Sequence, residues 1–296
     1  MSQYGQPDHY ILHVSDTHFV GDGELLHGKV DSDTKLARLF DRLARTGQRP
    51  EAIVFTGDLA DAGNPQAYAR LRAMVEPAAE RLGAKVIWVM GNHDSRPAFR
   101  AGLLDTEATQ ESVDIVHDID GLRIIALDST VPGHHHGEIT DEQLAWLTDV
   151  LATPAPHGTL LALHHPPVPS PLALLDLVDL HDQHRLEDVL RGTDVRGILG
   201  GHLHYSTTCT FAGIPVSVAS ATCYTQDLFV QGGGMRGQDS GQSFNLVHVY
   251  SDRVLHTVVP VEEGETLYEM SAELMAALQN MTTEEAVRFL SQPVAR

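Results

Sequence analysis

Five short segments of the sequence combine aspartate, asparagine, histidine and glycine, and each directly follows a run of apolar residues. Carboxylate, amide and imidazole groups together suit manganese, iron, zinc or cobalt ions. An all-oxygen set favours magnesium or calcium instead, and a thiolate set favours structural zinc. The five segments are Asp16-Thr17-His18, Gly57-Asp58, Gly91-Asn92-His93-Asp94, His164-His165 and Gly201-His202-Leu203-His204.

The apolar runs before these segments predict buried β-strands, because they have strand length and many β-branched residues. Helical patterns lie between several of the runs, at residues 33–45, 64–82 and 141–151, and Pro65 suits the first turn of the second helix. Residues of about 205–260 predict consecutive strands, so we expect a mixed sheet in an α/β core. The strand-like runs are YILHV, AIVF, KVIWVM, LRIIAL, TLLAL, RGILG, IPVSVAS and NLVHVY.

The order of the segments along the chain predicts that they meet in one site. The carboxyl ends of parallel strands share one edge of a sheet, and ligands bind at that edge. One such segment alone is weak support for metal binding, whereas five in succession at strand ends are much harder to obtain by chance. Asp58 can offer one oxygen to each of two ions, and two ions about 3.5–4 Å apart are suited to displacement at phosphorus. The residues therefore predict a two-metal site for phosphoester hydrolysis.

The composition of the chain argues against nucleic acids and membranes as binding partners. The formal net charge of −20 repels nucleic-acid polymers and anionic membrane surfaces. No stretch approaches the roughly 18 apolar residues of a membrane span, so we expect none. Cys209 and Cys223 lack the spacing of a disulfide framework or a CxxC motif, which favours a reducing cytoplasm.

The ordered segments resemble the calcineurin-like metallophosphoesterase superfamily, with its D-x-H, G-D, G-N-H-D/E, H and G-H-x-H motifs. The resemblance covers about residues 9–260 and implies a four-layer α/β/β/α sandwich of two mixed β-sheets flanked by helices. It also implies two divalent or trivalent transition-metal ions per chain, iron and manganese first, with zinc or cobalt as alternatives. By position, one ion would take Asp16, His18, Asp58 and His204, and the other would take Asp58, Asn92, His164 and His202.

Further stretches, among them PGHHHGEI and PVSVASATCYTQDL, resemble the class III cyclic nucleotide phosphodiesterases. This resemblance implies hydrolysis of 3′,5′-cyclic AMP to 5′-AMP by a hydroxide shared between the ions, with His93 and Asn92 as catalytic residues and His93 protonating the leaving oxygen. It also implies a homodimer. The residues expected to contact the substrate are His18, Asp58, Asn92, His93, His204 and His135.

Two other functions stay open at this point. A broad phosphodiesterase acting on 2′,3′-cyclic nucleotides or glycerophosphodiesters needs the same ion pair, because the metals recognise phosphate and the pocket wall selects the rest. A non-catalytic scaffold on the same fold predicts gaps in the ligand set, and the sequence has none.

The triplet His134-His135-His136 is the most conspicuous histidine cluster but a poor candidate ligand set. Adjacent side chains point in different directions, so three in a row rarely bind one ion together. The triplet lies between a predicted strand and the helix at 141–151, in a loop near the ligand-bearing edge. We expect one of the three, His135, to face the substrate or a metal ligand.

Two segments stand outside the predicted site. The glycine-rich stretch 230–243 lacks the GK[ST] ending of a phosphate-binding loop, which favours a surface loop. After a catalytic domain at residues 1–262, residues 263–296 predict a short helical appendage. Its second helix begins at Thr282, and Glu285 completes a capping box.

Overall fold

The structure is a computed structural model that describes residues 4–291. Strands and helices alternate through its first two-thirds, as the sequence predicts. In chain order the strands are β1 (His9–Val14), β2 (Ala52–Thr56), β3 (Lys85–Val89), β4 (Ile115–Ile119), β5 (Leu122–Ala126), β6 (Thr159–Ala162), β7 (Val195–Gly200), β8 (Thr207–Phe211), β9 (Ile214–Val218), β10 (Thr225–Gln226), β11 (Gly237–Gln238), β12 (Ser243–Val249) and β13 (Val254–Pro260). The helices are α1 (Ser32–Thr46), α2 (Pro65–Leu82), α3 (Arg96–Leu103), α4 (Asp141–Leu151), α5 (Gln183–Leu190), α6 (Ala272–Gln279) and α7 (Thr283–Leu290).

The strands form two large mixed sheets and one short ribbon. The first sheet has the order β13-β12-β1-β2-β3, in which β1, β2 and β3 are parallel and β12 runs antiparallel to β1. The second sheet has the order β4-β5-β6-β7-β9-β8, with β5, β6, β7 and β9 parallel. Each sheet therefore brings the carboxyl ends of several parallel strands to one edge.

Side-chain alternation along the strands produces three apolar layers. In β1, Leu12 packs with the residues of α1, α2 and α3, whereas its neighbour Ile11 packs between the two sheets. In β6, Leu161 packs with the residues of α4 and α5, whereas Leu160 packs between the sheets. Helices thus cover the outer face of each sheet, and the predicted four-layer α/β/β/α architecture is confirmed.

Several predicted boundaries coincide with the observed ones. Helix α2 begins at Pro65, and the side chain of Asn64 accepts a hydrogen bond from the Gln66 N–H at 2.8 Å, which satisfies one of the free amides of the first turn. The capping box at Thr282 and Glu285 is present at the start of α7.

Three elements and one loop differ from the sequence expectations. The eight-residue helices α3 and α5 and the partly exposed strand β4 have no counterpart among the predicted elements, because each is short and its apolar pattern covers barely two turns or two alternations. The sequence favours a loop throughout 230–243, but β11 lies within this stretch and pairs antiparallel with β10.

The chain divides into two compact units. Residues 7–262 form the larger unit, which contains both sheets and α1 to α5. The smaller unit contains α6 and α7. Among residues 4–291, every helix is too short or too polar to cross a bilayer.

Candidate metal centre

The five polar segments meet where the two sheets present the carboxyl ends of their parallel strands. Main-chain hydrogen bonds join their loops: the Asp16 N–H donates to Gly57 O at 3.1 Å, and the Gly201 N–H donates to His164 O at 3.1 Å. The His202 N–H donates to the carboxylate of Asp16 at 3.1–3.2 Å, which connects a loop of one sheet to a loop of the other. Residues almost 190 positions apart thus share one site.

The first group of potential ligands surrounds two carboxylates. Ligand atoms of Asp16, His18, Asp58 and His204 all lie within 4.8 Å of one another, and all four residues are buried. His18 Nε2 lies 3.4 Å from Asp58 Oδ2, and His204 Nε2 lies 3.4 Å from Asp16 Oδ1. The family resemblance implies the same four residues as ligands of one ion.

The second group lies on the other side of Asp58. His164 Nε2 is 3.4 Å from Asp58 Oδ2, 3.1 Å from Asn92 Oδ1 and 3.3 Å from His202 Nδ1. The same oxygen of Asp58 also faces His18, so this carboxylate stands between the two groups. The arrangement suits a carboxylate shared by two ions.

The imidazoles have the orientation that metal ligands need. His164 and His204 donate from Nδ1 to main-chain carbonyl groups at 2.7 and 2.9 Å, which leaves the lone pair of each Nε2 toward the carboxylates. His18 places Nδ1 3.1 Å from Asp61 Oδ1, and its buried Nε2 has no hydrogen-bond partner among the described residues. Imidazoles held in this way by a second group are characteristic of metal sites. The donor set therefore fits a pair of transition-metal ions.

Glycines allow the loops to approach one another at the site. A Cβ atom at Gly91 would lie 2.9 Å from Asp58 Cα and closer still to Asp58 N. A Cβ atom at Gly201 would lie 2.8 Å from Asp16 Oδ2. Both distances are well below a normal contact, so only glycine permits this spacing of the two carboxylates.

Five of the predicted ligands have left-handed backbone conformations. Their φ values are 51° for Asp16, 43° for His18, 50° for Asp58, 70° for His202 and 55° for His204. Residues other than glycine adopt this region rarely and at a cost in free energy, and such residues cluster at functional sites. The five residues lie two to four positions after the ends of β1, β2 and β7.

Comparison with known proteins identifies the group to which this architecture belongs. Residues 9–206 match the family described as calcineurin-like phosphoesterase. The chain belongs to the calcineurin-like phosphoesterase family. It is 59% identical over 266 residues to the cAMP/cGMP dual specificity phosphodiesterase of Mycobacterium tuberculosis, with 90% of this chain and 84% of that protein covered.

Two further comparisons extend this finding. The chain is 59% identical over 268 residues to a protein of Rhodococcus erythropolis named "Probable cyclic nucleotide phosphodiesterase", with 90% of this chain and 89% of that protein covered. The structure also resembles a purple acid phosphatase from yellow lupin seeds, with a TM-score of 0.61 and 13% identity over 88% of this chain. The match spans 53% of the lupin chain and shows the fold alone.

Charges within this phosphoesterase site compensate one another. Burial alone would lower the pKa of His18, but the neighbouring carboxylates of Asp58 and Asp61 outweigh it and raise the pKa to about 10. Burial alone would likewise lower the pKa of His164, but the charge of Asp58 helps to raise it to about 9. Burial raises the pKa of Asp16 to about 6. Protons thus balance the carboxylates in the absence of metal, and bound ions take over this role.

Asn92 and His93 lie at the open side of the site. Asn92 Oδ1 faces His164, while its Nδ2 lies 2.9 Å from His135 Nδ1. The His93 N–H donates to Asp58 Oδ1 at 2.8 Å, and its ring Nδ1 donates to Asp61 O at 2.8 Å. The rings of His93 and His135 lie 5.3 Å apart.

The members of the histidine triplet have different neighbours. His135 contacts a predicted ligand, Asn92, whereas His136 lies 3.2 Å from Glu138 and stacks on His181 with ring centroids 4.2 Å apart. The structure therefore connects one member of the triplet to the predicted site and directs another away from it.

His165 and Asp94 hold the framework of the site. Both ring nitrogens of His165 are engaged, Nδ1 with the hydroxyl of Ser129 at 2.8 Å and Nε2 with the main-chain oxygen of His135 at 3.1 Å, so neither is free for an ion. The carboxylate of Asp94 accepts hydrogen bonds from three main-chain amides and the Tyr68 hydroxyl. Asp94 therefore fixes the loops around the site and does not orient a ligand imidazole.

Sequence reasoning did not name Tyr224 and Cys223, which contact the predicted ligand His204. The Tyr224 ring lies 4.4 Å from the His204 ring, and its main-chain oxygen accepts the hydrogen bond from His204 Nδ1. Cys223 Sγ lies 3.9 Å from the same nitrogen. Both residues belong to the stretch PVSVASATCYTQDL, whose resemblance to phosphodiesterases is the only signal of their position.

Proposed function

We propose that this protein is a dinuclear metal-dependent phosphodiesterase that hydrolyses 3′,5′-cyclic nucleotides and converts cyclic AMP to 5′-AMP. The observation that carries the proposal is the convergence of two ligand groups on Asp58, in a chain 59% identical to a cAMP/cGMP dual specificity phosphodiesterase. We assign Asp16, His18, Asp58 and His204 to one ion. Asn92, His164 and His202 complete the second group with Asp58.

Iron and manganese are the proposed metals, because the site combines imidazoles with carboxylate and amide oxygens. When bound, the ions supply an acidified water and positive charge beside the phosphoryl oxygens. Hydrolysis breaks the bond between phosphorus and O3′, attaches the water oxygen to phosphorus and leaves a proton on O3′.

His93 is positioned to deliver that proton. Its Nδ1–H donates to Asp61 O, which can only accept, so a protonated His93 carries its transferable proton on Nε2. Asn92 directs Oδ1 inward because its Nδ2–H donates to His135 Nδ1. We therefore assign His93 as the general acid, Asn92 and His204 as contacts of the phosphoryl group, and His135 as a positioning residue.

The proposal extends to the state of the protein in the cell. We propose a cytoplasmic enzyme, which is supported by the free thiols of Cys209 and Cys223. We also propose a homodimer, and β8, which lies at one edge of the second sheet in the described part of the chain, offers a strand edge for pairing. Residues 1–262 are the proposed catalytic domain and 263–296 an appendage. Light scattering on the full chain and on a chain ending at residue 262 tests the homodimer. Activity assays on the same two chains test whether residues 1–262 are the catalytic domain.

One panel of steady-state rates tests the function. The substrates are 3′,5′-cyclic AMP, 3′,5′-cyclic GMP, 2′,3′-cyclic AMP, glycerophosphocholine and methyl 4-nitrophenyl phosphate, each with manganese, iron, zinc and cobalt. We expect the 3′,5′-cyclic nucleotides to be hydrolysed. Turnover of the aryl diester without turnover of either 3′,5′-cyclic nucleotide refutes the assignment and leaves a phosphodiesterase of other specificity. Metal content well below one ion per chain with no hydrolysis at all favours a scaffold.

A further inference from the structure

A cavity of about 390 Å³ lies beside Tyr224, whose ring packs against the predicted ligand His204. Its wall includes the side chains of His27, Tyr224, Gln226 and Met235. The Tyr224 ring is shared between the cavity and the predicted site, because it lies 5.3 Å from the His27 ring and 4.4 Å from the His204 ring. A molecule whose phosphate reaches the metal ligands can therefore extend into this cavity.

The floor of the cavity is fixed to the site by main-chain hydrogen bonds. The Gln226 N–H donates to His204 O at 3.1 Å. Gln226 belongs to β10, where it pairs with Gly237 of β11, and Gly237 also lines the cavity. The ribbon of β10 and β11 thus brings two glutamines, Gln226 and Gln238, to the cavity, and Gln226 is the one whose main chain is bonded to a predicted metal ligand.

Gln226 has an unused hydrogen-bonding group. Its Oε1 is buried and has no hydrogen-bond partner among the described residues. A buried amide oxygen without a partner is costly and rare in folded proteins. The terminal torsion of glutamine is broad, so a small rotation turns the amide toward a ligand in the cavity. After such a rotation the oxygen can accept a hydrogen bond from a donor group of a ligand in the cavity, which would supply the partner that it lacks among the described residues.

The chemistry of the wall matches a nucleobase. The face of Tyr224 and the thioether of Met235 offer apolar, polarisable surfaces, and bases stack on aromatic rings irrespective of their sequence. A glutamine amide offers one donor and one acceptor, the combination that pairs with adenine edges. Asp239, which also lines the cavity, is neutralised by Lys35 at 2.5 Å and so repels an anionic substrate less.

A second cavity on the other side of the centre is a weaker candidate. It has a volume of about 240 Å³ and is lined by Asn92, Arg96 and Gln110, among others. Arg96 is already paired with Asp128 at 2.9 Å. None of the described residues that line this second cavity is aromatic, so it has no surface on which a base can stack.

We infer that the base of the cyclic nucleotide binds in the cavity between His27, Tyr224 and Met235, and that Gln226 is the residue that recognises its hydrogen-bonding edge. The inference rests on the proposed function and adds the site of base recognition. Reversal of the Gln226 amide exchanges its donor and acceptor, so the residue can serve both the 6-amino group of adenine and the 6-oxo group of guanine.

Two substitutions of Gln226 test the inference. Gln226→Leu removes both hydrogen-bonding groups, and we expect the KM for cyclic AMP to rise about tenfold, as loss of one or two such bonds implies. The ratio of kcat/KM for cyclic AMP to that for methyl 4-nitrophenyl phosphate, which has no base, should fall by the same factor. Gln226→Glu leaves acceptors only, so kcat/KM for cyclic AMP relative to cyclic GMP should rise about tenfold.

A binding measurement gives a readout independent of turnover. Calorimetric titration with 5′-AMP should show a Kd about tenfold higher for Gln226→Leu than for the wild type. Gln110→Leu is the matched control, because it makes the same change at an exposed position in the second cavity. We expect it to leave both the KM ratio and the Kd unchanged.

The possible failures are distinguishable. If the wild type hydrolyses cyclic AMP but Gln226→Leu has wild-type KM and Kd, the inference fails and the proposed function stands. The inference also fails, with the proposed function intact, if Gln110→Leu shows the loss instead. If the wild type hydrolyses the aryl diester but no 3′,5′-cyclic nucleotide, the proposed function fails and the inference falls with it.

Discussion

A single methyl group added at Gly91 would press against Asp58, the carboxylate that stands between the two ligand groups. Its Cβ would lie 2.9 Å from Asp58 Cα and closer to Asp58 N, whereas carbon atoms pack at about 3.5–4.0 Å. The segments that follow β2 and β3 must therefore separate by roughly 1 Å. The residues that follow Gly91 include Asn92 and His93, so Gly91→Ala shifts these two side chains relative to Asp58.

The size of the effect follows from this displacement. A misplacement of about 1 Å at reacting groups can cost about 10²-fold in rate, so we expect kcat for cyclic AMP to fall about a hundredfold. Overpacking of this kind costs about 1–3 kcal/mol, and each kcal/mol lowers the Tm of a chain of this length by about 2–4 °C. We therefore expect Gly91→Ala to melt roughly 2–12 °C below the wild type.

The assay compares kcat, metal content by mass spectrometry and Tm by calorimetry. Gly264→Ala is the matched control, because a Cβ at that glycine meets no atom within 4 Å. The control should retain wild-type kcat and Tm. A Gly91→Ala protein with kcat within twofold of wild type and an unchanged Tm would refute the argument that the loop spacing depends on glycine.

Three further predictions concern the open side of the site and one hairpin. His93→Ala should lower kcat by about 10²–10⁴-fold while both metals remain bound, because it removes only the proton donor. His135→Ala should lower activity or metal affinity by about 10–100-fold, since it removes the acceptor that orients Asn92, whereas His134→Ala should change neither. Ala212→Asn should raise Tm by about 2–4 °C, because alanine at a φ of 53° costs about 1 kcal/mol that asparagine largely avoids.

A specific outcome would contradict each of these predictions. Unchanged turnover of His93→Ala with full metal content removes that residue from the mechanism. Equal losses in His135→Ala and His134→Ala would mean that the loop matters and the hydrogen bond does not. A Tm for Ala212→Asn equal to or below that of the wild type would refute the argument that alanine is strained in the β8–β9 turn, where Gly213 follows with a φ of 81°.

The sequence predicted most of the elements that carry the candidate ligands, for identifiable reasons. Strands β2, β3 and β6 are largely buried, so their apolar runs are continuous and the polar residues after them stand out. Helix α2 has an Asn64 cap and Pro65 at its start, and these are local signals. Where an apolar pattern is long and local signals mark its ends, the strand or helix can be inferred from the sequence without tertiary information.

Other parts of the site depend on contacts between distant segments. Tyr224 reaches His204 through the β10–β11 ribbon, and a pairing of two residues per strand leaves almost no pattern in the sequence. The role of Asp94 depends on three amides that only the folded loops bring together. The unsatisfied amide of Gln226 likewise exists only in the folded chain.

The left-handed backbone at five predicted ligands restricts how this centre can be altered. Asparagine, aspartate and histidine are the side-chain-bearing residues most often found in that conformation, whereas β-branched and bulky residues are disfavoured. At His18, Asp58 and His204 the main chain itself therefore selects oxygen and imidazole donors. Attempts to change the metal preference of the enzyme will succeed most readily by exchanges among asparagine, aspartate and histidine. An alanine substitution at these positions measures backbone strain together with the lost ligand, whereas an asparagine substitution avoids most of the strain but keeps an oxygen donor, so the two together separate the effects.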